Sequence, residues 1–216
     1  MAVPGGHTLK DAALAEARQR EIAGTALRLF RARGYHATSV RQIAEAAGLS
    51  VGSLFNYFRS KEQVLQLIYE HAQVLIEEAL DQVMHELGPD PEAALRHALD
   101  RYVGLLDQYQ DHVALLYQEF KSLDGRAKRQ IIDRERRIMA IFERILEAGV
   151  RQKKFRPQPL AVTVNAIAAL GHSWVTRRWA LGGAVTLEEF KEAQIAMILG
   201  GIRDEVAARG PRSNHV

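Results

Sequence analysis

The stretch that decides the fold is SVRQIAEAAGLSVGSLFNYF, residues 39–58. It contains two short apolar segments, and each begins with a serine in the position of a helix cap, Ser39 and Ser50. Ser39 also has Gln42 three residues later, which is the spacing of a capping box. Gly48 lies between the segments and can adopt the left-handed backbone that a tight turn requires. We therefore predict a helix-turn-helix over residues 39–58.

The second helix of such a motif lies in the major groove of DNA, and the first helix braces it. The side chains predicted on the exposed face of the second helix are Val51, Gly52, Ser53, Phe55, Asn56 and Tyr57. Val51 offers an apolar contact to a thymine methyl, Gly52 lets the backbone approach the DNA, and Ser53 can hydrogen-bond a base edge. Phosphate contacts are predicted for Thr38, Ser39 and Arg41, and for Lys61 at the start of the next helix.

The alternative interpretation of this segment is a plain helical hairpin with core aromatics. For Phe58, and partly for Tyr57, a core position fits better than a base contact. For the segment as a whole the hairpin is disfavoured, because bundle helices seldom run for only two turns.

The rest of the chain repeats its apolar residues at three- and four-residue spacing, which indicates helices. Further helices are predicted up to Gly34, after Ser60, and near 91–108, 111–122, 126–152, 158–181 and 187–207. The predicted fold class is therefore all-α, with about nine helices. We divide it into a DNA-binding domain, 1–60, and a ligand-binding and dimerisation domain, 61–216. Residues 1–14 are expected to be either a flexible arm along DNA or a solvated tail.

Composition excludes several classes of protein. The 216 residues are 47% hydrophobic and 25% charged and include no cysteine, which excludes disulfides, cysteine metal sites and thiol chemistry and suits the cytoplasm. The uncharged span 157–176 approaches membrane-spanning length, but polar residues interrupt it, so we expect a buried helix and no membrane partner. The first 60 residues hold eight basic and four acidic residues, which is either the mark of a polyanion-binding head or a chance fluctuation.

Enzymatic chemistry has no support in the sequence. The chain lacks a phosphate-cradling glycine loop and the Gly-x-Ser-x-Gly elbow of hydrolases, and its eight histidines have no metal-ligand spacing. We expect that the protein is not an enzyme and that it binds no metal and no cofactor. The alternative is a helical ligand carrier or enzyme that uses its N-terminal unit as a docking module.

A family resemblance becomes specific over residues 20–65. This run resembles the DNA-binding domain of the TetR/AcrR family of bacterial transcriptional regulators, through the segments ALRLF (26–30), TSV (38–40), SVGSLFNYF (50–58) and SKE (60–62). Phe55 and Asn56 stand where that family usually has Tyr and His, and Val51 stands where a basic or small residue is common. The resemblance implies a homodimeric repressor that binds a palindromic operator and is released by a small-molecule inducer.

The resemblance also implies that the last two helices pair two copies of the chain. The helices predicted near 158–181 and 187–207 are apolar over wide faces. Such breadth is typical of helices that are buried on more than one side, as in a dimeric four-helix bundle.

A ligand site is predicted in the C-terminal body. The candidate ligand-binding residues are Tyr117, Phe120, Met139, Phe142, Asn165, His172 and Trp179, although any one of the large side chains could simply be core. A spacing of seven places Asn165, His172 and Trp179 on one face of an apolar helix, where a ligand head group, backbone or water would satisfy them. The body suits a long hydrophobic inducer, and the family resemblance suggests an acyl-CoA or a fatty acid.

Overall fold

The structure, a computed structural model, describes residues 6–86 and 90–204, with side chains from 12 to 83 and from 90 to 204. Within these ranges the chain is helical and forms no strand, which confirms the all-α prediction. The nine α-helices there are α1 (Gly6–Arg33), α2 (Val40–Ala46), α3 (Val51–Phe55), α4 (Lys61–Glu86), α5 (Pro91–Gln108), α6 (Gln110–Glu119), α7 (Gly125–Arg151), α8 (Leu160–Arg177) and α9 (Leu187–Ile202). Short 3-10 helices follow α6 at Phe120–Ser122 and α8 at Arg178–Leu181. None of the described helices is long and apolar enough to cross a membrane.

Three predicted boundaries differ from the structure. The last helix, expected near 187–207, ends as α9 at Ile202. The segment expected as an arm, residues 1–14, is helical from Gly6 onward, and residues 1–5 lie outside the described ranges. The helix expected to reach residue 181 ends as α8 at Arg177, and a 3-10 turn closes on Gly182, whose φ of 58° is left-handed. Glycine is suited to that position because it has no Cβ to clash.

The chain folds as two compact units. The first comprises Met1–Ala72 and Asp111–Ile132, and the second comprises Gln73–Gln110 and Asp133–Val216, within the limits of the described residues. Helices α4 and α7 therefore contribute residues to both units. The functional division predicted after residue 60 stays a prediction, since the compact first unit also takes in α6 and the first turns of α4 and α7.

In the second unit, α5 packs against α8 and α9. The approach of α8 to α5 depends on Gly171, because a Cβ there would lie 2.9 Å from the Tyr102 ring. Tyr102, Phe142, Ile167 and Trp174 are buried in this core. Trp174 also donates from its indole nitrogen to Asp107 at 2.8 Å, which ties α8 to the end of α5.

In the first unit, one core joins α1 to α4 with α6 and the start of α7. Its buried side chains include Ile22, Phe30, Tyr35, Ile43, Leu54, Phe58, Leu65, Leu115 and Ile131. The helix-turn-helix contributes Ile43 from α2 and Leu54 from α3, so both short helices are anchored by an apolar residue. The predicted core position of Phe58 is confirmed, with the side chain 2% exposed.

Long side chains of α1 hold both ends of the helix-turn-helix. Arg18 donates from its guanidinium to the carbonyl of Ala47, at the end of α2, at 3.1 Å. Gln19 donates from its amide to the carbonyl of Tyr57, just after α3, at 3.1 Å. These carbonyls have no partner within such short helices, so α1 satisfies them from outside.

Lys61, the first residue of α4, contacts the turn that joins α1 to α2. Its ammonium donates to the carbonyls of Tyr35 at 2.8 Å and Thr38 at 3.0 Å. The same nitrogen lies 4.2 Å from the centre of the Tyr35 ring, which adds a cation–π contact. Lys61 therefore fixes the turn between α1 and α2 against the start of α4.

We predict that Lys61→Met destabilises the first unit by about 1–2 kcal/mol, because two carbonyls lose a charged donor. Amides of α1 to α3 should then exchange hydrogen roughly 5- to 30-fold faster by mass spectrometry. Arg59→Met is the matched control, since the Arg59 side chain is exposed. Unchanged exchange in Lys61→Met would contradict the structural role of its ammonium.

Candidate functional site

The exposed face of α3 is the centre of the candidate DNA-binding site. Val51 and Phe55 are 37% and 49% exposed, and Gly52 and Asn56 are exposed beside them. Leu54, on the other side of the helix, is buried. Since a helix turns about 100° per residue, the four exposed positions span an arc of roughly 140°. The structure thus brings four of the six predicted groove-facing residues onto one continuous surface.

The two serine caps that define the motif are present. The Ser39 hydroxyl accepts from the Gln42 amide at 3.2 Å, and the Gln42 side chain accepts from the Ser39 amide at 2.8 Å, which confirms the predicted capping box. The Ser50 hydroxyl accepts from the Ser53 amide at 3.0 Å. The hydroxyls of Ser50 and Ser53 are 2.8 Å apart, so Ser53 takes part in the cap and is only partly exposed.

Two predicted DNA-contacting residues are directed inward. The Thr38 side chain is 1% exposed, and its hydroxyl donates to the carbonyl of Gly34 at 2.8 Å. It therefore closes the turn after α1, and its side chain does not reach the surface where a phosphate would lie. Tyr57 is half-buried and packs against the core of the first unit.

Positive charge flanks α3 on both sides along the chain. Arg41 on α2 and Arg59 after α3 are exposed, and neither forms an ion pair within the described part of the chain. The Lys61 ammonium uses two of its N–H bonds on carbonyls, which leaves one for the phosphate contact predicted from the sequence. Ser39 remains exposed at the start of α2.

Sequence reasoning missed the side chains that hold this surface in place. Arg18 and Gln19 donate to carbonyls 29 and 38 residues away, and no local pattern marks such a contact. Tyr35 was missed as well: it is buried, and its hydroxyl donates to Glu62 at 3.3 Å. Burial, together with the nearby Glu62 carboxylate, raises the pKa of Tyr35 well above its usual value.

The predicted ligand-binding residues do not gather in one unit. Tyr117, which is 56% exposed, and Phe120 belong to the first unit. The other five belong to the second unit: Met139, Phe142, Asn165, His172 and Trp179. No group of three or more His, Asp or Glu side chains among the described residues is arranged to hold a metal ion.

The structure does not place Asn165, His172 and Trp179 together on one face of an apolar helix, and Asn165 is not buried. Asn165 is exposed, and Trp179 is 79% exposed. The seven-residue spacing fails at Trp179 because α8 ends at Arg177 and the 3-10 turn rotates the following residues differently. Trp179 instead donates from its indole nitrogen to the carbonyl of Thr176 at 3.2 Å. The roles of Asn165, His172 and Trp179 in ligand binding stay predictions.

His172 forms a polar pair inside the second unit. Its Nε2 lies 3.1 Å from the hydroxyl of Tyr102, a residue that is 1% exposed. The Tyr102 ring also meets Phe142 edge to face, with ring centres 5.5 Å apart. Burial lowers the pKa of His172 to about 4, so the imidazole is neutral at pH 7. A neutral imidazole beside a phenol can donate or accept a hydrogen bond, which suits an uncharged polar group.

Comparison with known proteins gives a consistent result. The chain is 28% identical to the transcriptional regulator HbdR of Aromatoleum sp. (strain CIB), covering 88% of this chain and 82% of HbdR. It is 28% identical to the transcriptional repressor KstR2 of Mycobacterium tuberculosis, covering 87% and 94%. Among solved structures, AibR in complex with isovaleryl coenzyme A and operator DNA is 25% identical with a TM-score of 0.71, covering 83% and 97%.

Family models match both parts of the chain. The model of bacterial regulatory proteins of the tetR family matches residues 22–68, which include the whole helix-turn-helix. The tetracyclin repressor-like C-terminal domain matches residues 88–202, more than half of the chain. With capped helices α2 and α3, an exposed α3 face and an all-α body, the chain belongs to the TetR family of bacterial transcriptional regulators.

Proposed function

We propose that this protein is a transcriptional repressor that binds a palindromic operator as a homodimer and leaves it when a hydrophobic small molecule binds. The observation that carries the proposal is the exposed face of α3, held by two serine caps and by donors from α1. A short helix that leaves four neighbouring residues uncovered has the geometry of a major-groove reader.

The charges around α3 support DNA as the partner. Arg41 and Arg59 are exposed on either side of α3 in the sequence, where they can contact phosphates while α3 faces the bases. The segment from Val51 to Phe58 carries no acidic residue that would repel the DNA backbone. Such contacts make binding strongly dependent on salt.

Helices α8 and α9 carry the surface that supports a homodimer. Val162 on α8 and Met197 on α9 are 67% and 61% exposed. Small residues are exposed around them on the same two helices: Ala161, Ala166, Ala169, Ala193, Ala196, Gly200 and Gly201. A surface of small and apolar residues lets helices of a second copy pack closely, as a four-helix bundle requires.

The ligand proposal rests on the Tyr102–His172 pair and on AibR. AibR, the 25% identical neighbour, was solved with isovaleryl coenzyme A and operator DNA together in its structure. In this chain the neutral His172 and the buried Tyr102 form a polar group beside the aromatic ring of Phe142. An acyl thioester or a fatty acid combines an apolar tail with a carbonyl that such a pair could bind. An acyl-CoA or a fatty acid is therefore the proposed inducer class.

For DNA binding, we predict that the purified full-length protein selects an inverted repeat from random duplexes at moderate salt. Gly52→Ala should weaken that binding by at least fivefold, because a methyl group would separate the α3 backbone from the base edges. The fold should tolerate the change, since the nearest atom to the new Cβ, the Ser50 hydroxyl oxygen, would be 3.9 Å away. Fluorescence anisotropy with the selected duplex measures the affinity.

Gly24→Ala is the matched control for this substitution, because a Cβ at Gly24, inside α1, would meet nothing within 4 Å. It should leave the affinity for the selected duplex unchanged. Selection of no inverted repeat by the wild-type protein would refute operator binding. Equal affinities of wild type and Gly52→Ala would refute the close approach of α3.

For the dimer, we predict that Met197→Arg converts the protein from two copies to one in light scattering after size exclusion. A charge buried against an apolar surface is costly, whereas the exposed position of Met197 in the single chain leaves the second unit folded. Leu14→Arg, at a residue 72% exposed on α1, is the control and should remain dimeric. A dimeric Met197→Arg variant would place the interface elsewhere.

For the ligand, we predict that an acyl-CoA or a fatty acid at about 100 times its Kd raises the unfolding temperature by roughly 5–10 °C. His172→Phe should reduce the shift, since the phenyl ring that replaces the imidazole cannot form a hydrogen bond with the carbonyl. His97→Phe, at an exposed position of α5, should keep the full shift. The absence of a shift with isovaleryl-CoA, longer acyl-CoAs and fatty acids would exclude this class of inducer.

A further inference from the structure

The exposed face of α3 has an unusual chemical character. The segment from Ser50 to Phe58 contains no charged residue. Val51 and Phe55 are among the large hydrophobic side chains that are exposed in the described part of the chain, at 37% and 49%. They are four residues apart in one helix, so they lie on the same side of it, with side chains roughly 5–6 Å apart.

The core of the first unit does not use these two side chains. Leu54 and Phe58, both 2% exposed, supply the buried contacts of this segment. Phe55 therefore projects from α3 toward whatever the helix binds. Contact with apolar groups of a partner would remove this exposed phenyl ring from water, which is favourable.

Each base pair presents a different pattern in the major groove, and only the thymine C5-methyl is apolar. The strong direct contact to guanine is made by arginine or lysine, and α3 has neither. Asn56, the exposed amide at the end of α3, has the donor and acceptor pair that matches adenine N6 and N7. Val51 and Phe55 on α3 and Asn56 at its C-terminal end thus match groups of A·T pairs.

The spacing of the apolar pair agrees with this match. Successive base pairs rise by about 3.4 Å, so methyl groups on neighbouring thymines lie within reach of two side chains roughly 5–6 Å apart. Arg41 and Arg59 belong to the flanking segments and provide the charge for phosphates. The residues that supply positive charge and the residues that contact the bases therefore lie in different segments of the chain.

We propose that α3 reads A·T pairs, with Phe55 and Val51 packed on thymine methyl groups and Asn56 bonded to an adenine. This inference rests on the proposed binding of operator DNA by α3 and names the sequence class of that operator. In each half-site, the bases under α3 are A·T pairs with at least one thymine in contact with Phe55.

The test replaces thymines by deoxyuridine, one at a time, in the inverted repeat that the wild-type protein selects. Uracil pairs with adenine as thymine does but lacks the methyl group. We expect at least one position per half-site where this change weakens binding roughly three- to fivefold, as removal of one buried methyl group predicts. At that position Phe55→Ala should bind the thymine and uracil duplexes with equal affinity.

Ile132→Ala is the matched control, because Ile132 is a large apolar residue of the same unit that is 41% exposed on α7. It should retain the wild-type ratio between thymine and uracil duplexes. Circular dichroism checks that both variants remain helical. For Asn56→Ala, 7-deazaadenine at the contacted adenine should cause no further loss, whereas in the wild type it should weaken binding.

Three results would overturn the inference: a selected half-site made of G·C pairs, wild-type binding that is insensitive to every uracil, or a thymine preference that survives in Phe55→Ala. Each of these presupposes that the protein binds DNA. Failure to bind any duplex is a different outcome, which would remove the proposed function itself and this inference with it.

Discussion

The structure of the first unit depends on one constraint: its two central helices are too short to satisfy their own backbones. An α-helix leaves its first four N–H groups and last four carbonyls without internal partners. Helices of seven and five residues, such as α2 and α3, therefore consist almost entirely of ends. Ser39 and Ser50 cap the N–H groups, while Arg18 and Gln19 reach over from α1 to carbonyls after each helix. Lys61 does the same for the turn that precedes α2.

This support from outside has a consequence for function. Because caps, α1 and one buried leucine hold α3, its exposed residues contribute little to its stability. The positions of Val51, Gly52, Phe55 and Asn56 can therefore carry whatever chemistry a DNA sequence demands. The position of α3 can therefore stay the same although Phe55 and Asn56 stand where the family usually has Tyr and His.

The second unit follows a different principle. Its helices are long enough to satisfy their own backbones, so packing decides what is buried. Gly171 lets α8 approach Tyr102 closely, and the Nε2 of the half-buried His172 next to it lies 3.1 Å from the tyrosine hydroxyl. Burial in turn keeps the imidazole neutral, because the pKa of His172 falls to about 4. On the outer sides of α8 and α9, Val162 and Met197 stay uncovered in the single chain.

The sequence by itself determined which segments are helical, the caps of α2 and α3, the helix-turn-helix and the core position of Phe58. Each of these depends on residues within a few positions of one another, so local spacing predicts it. Only the tertiary structure decided that Thr38 faces inward, that Lys61 bonds two carbonyls, and that Arg18 and Gln19 support the motif. It also separated Trp179 from His172, since α8 stops before the apolar pattern does. These features depend on contacts between segments far apart in the chain, or on where a helix ends, and no local pattern encodes either.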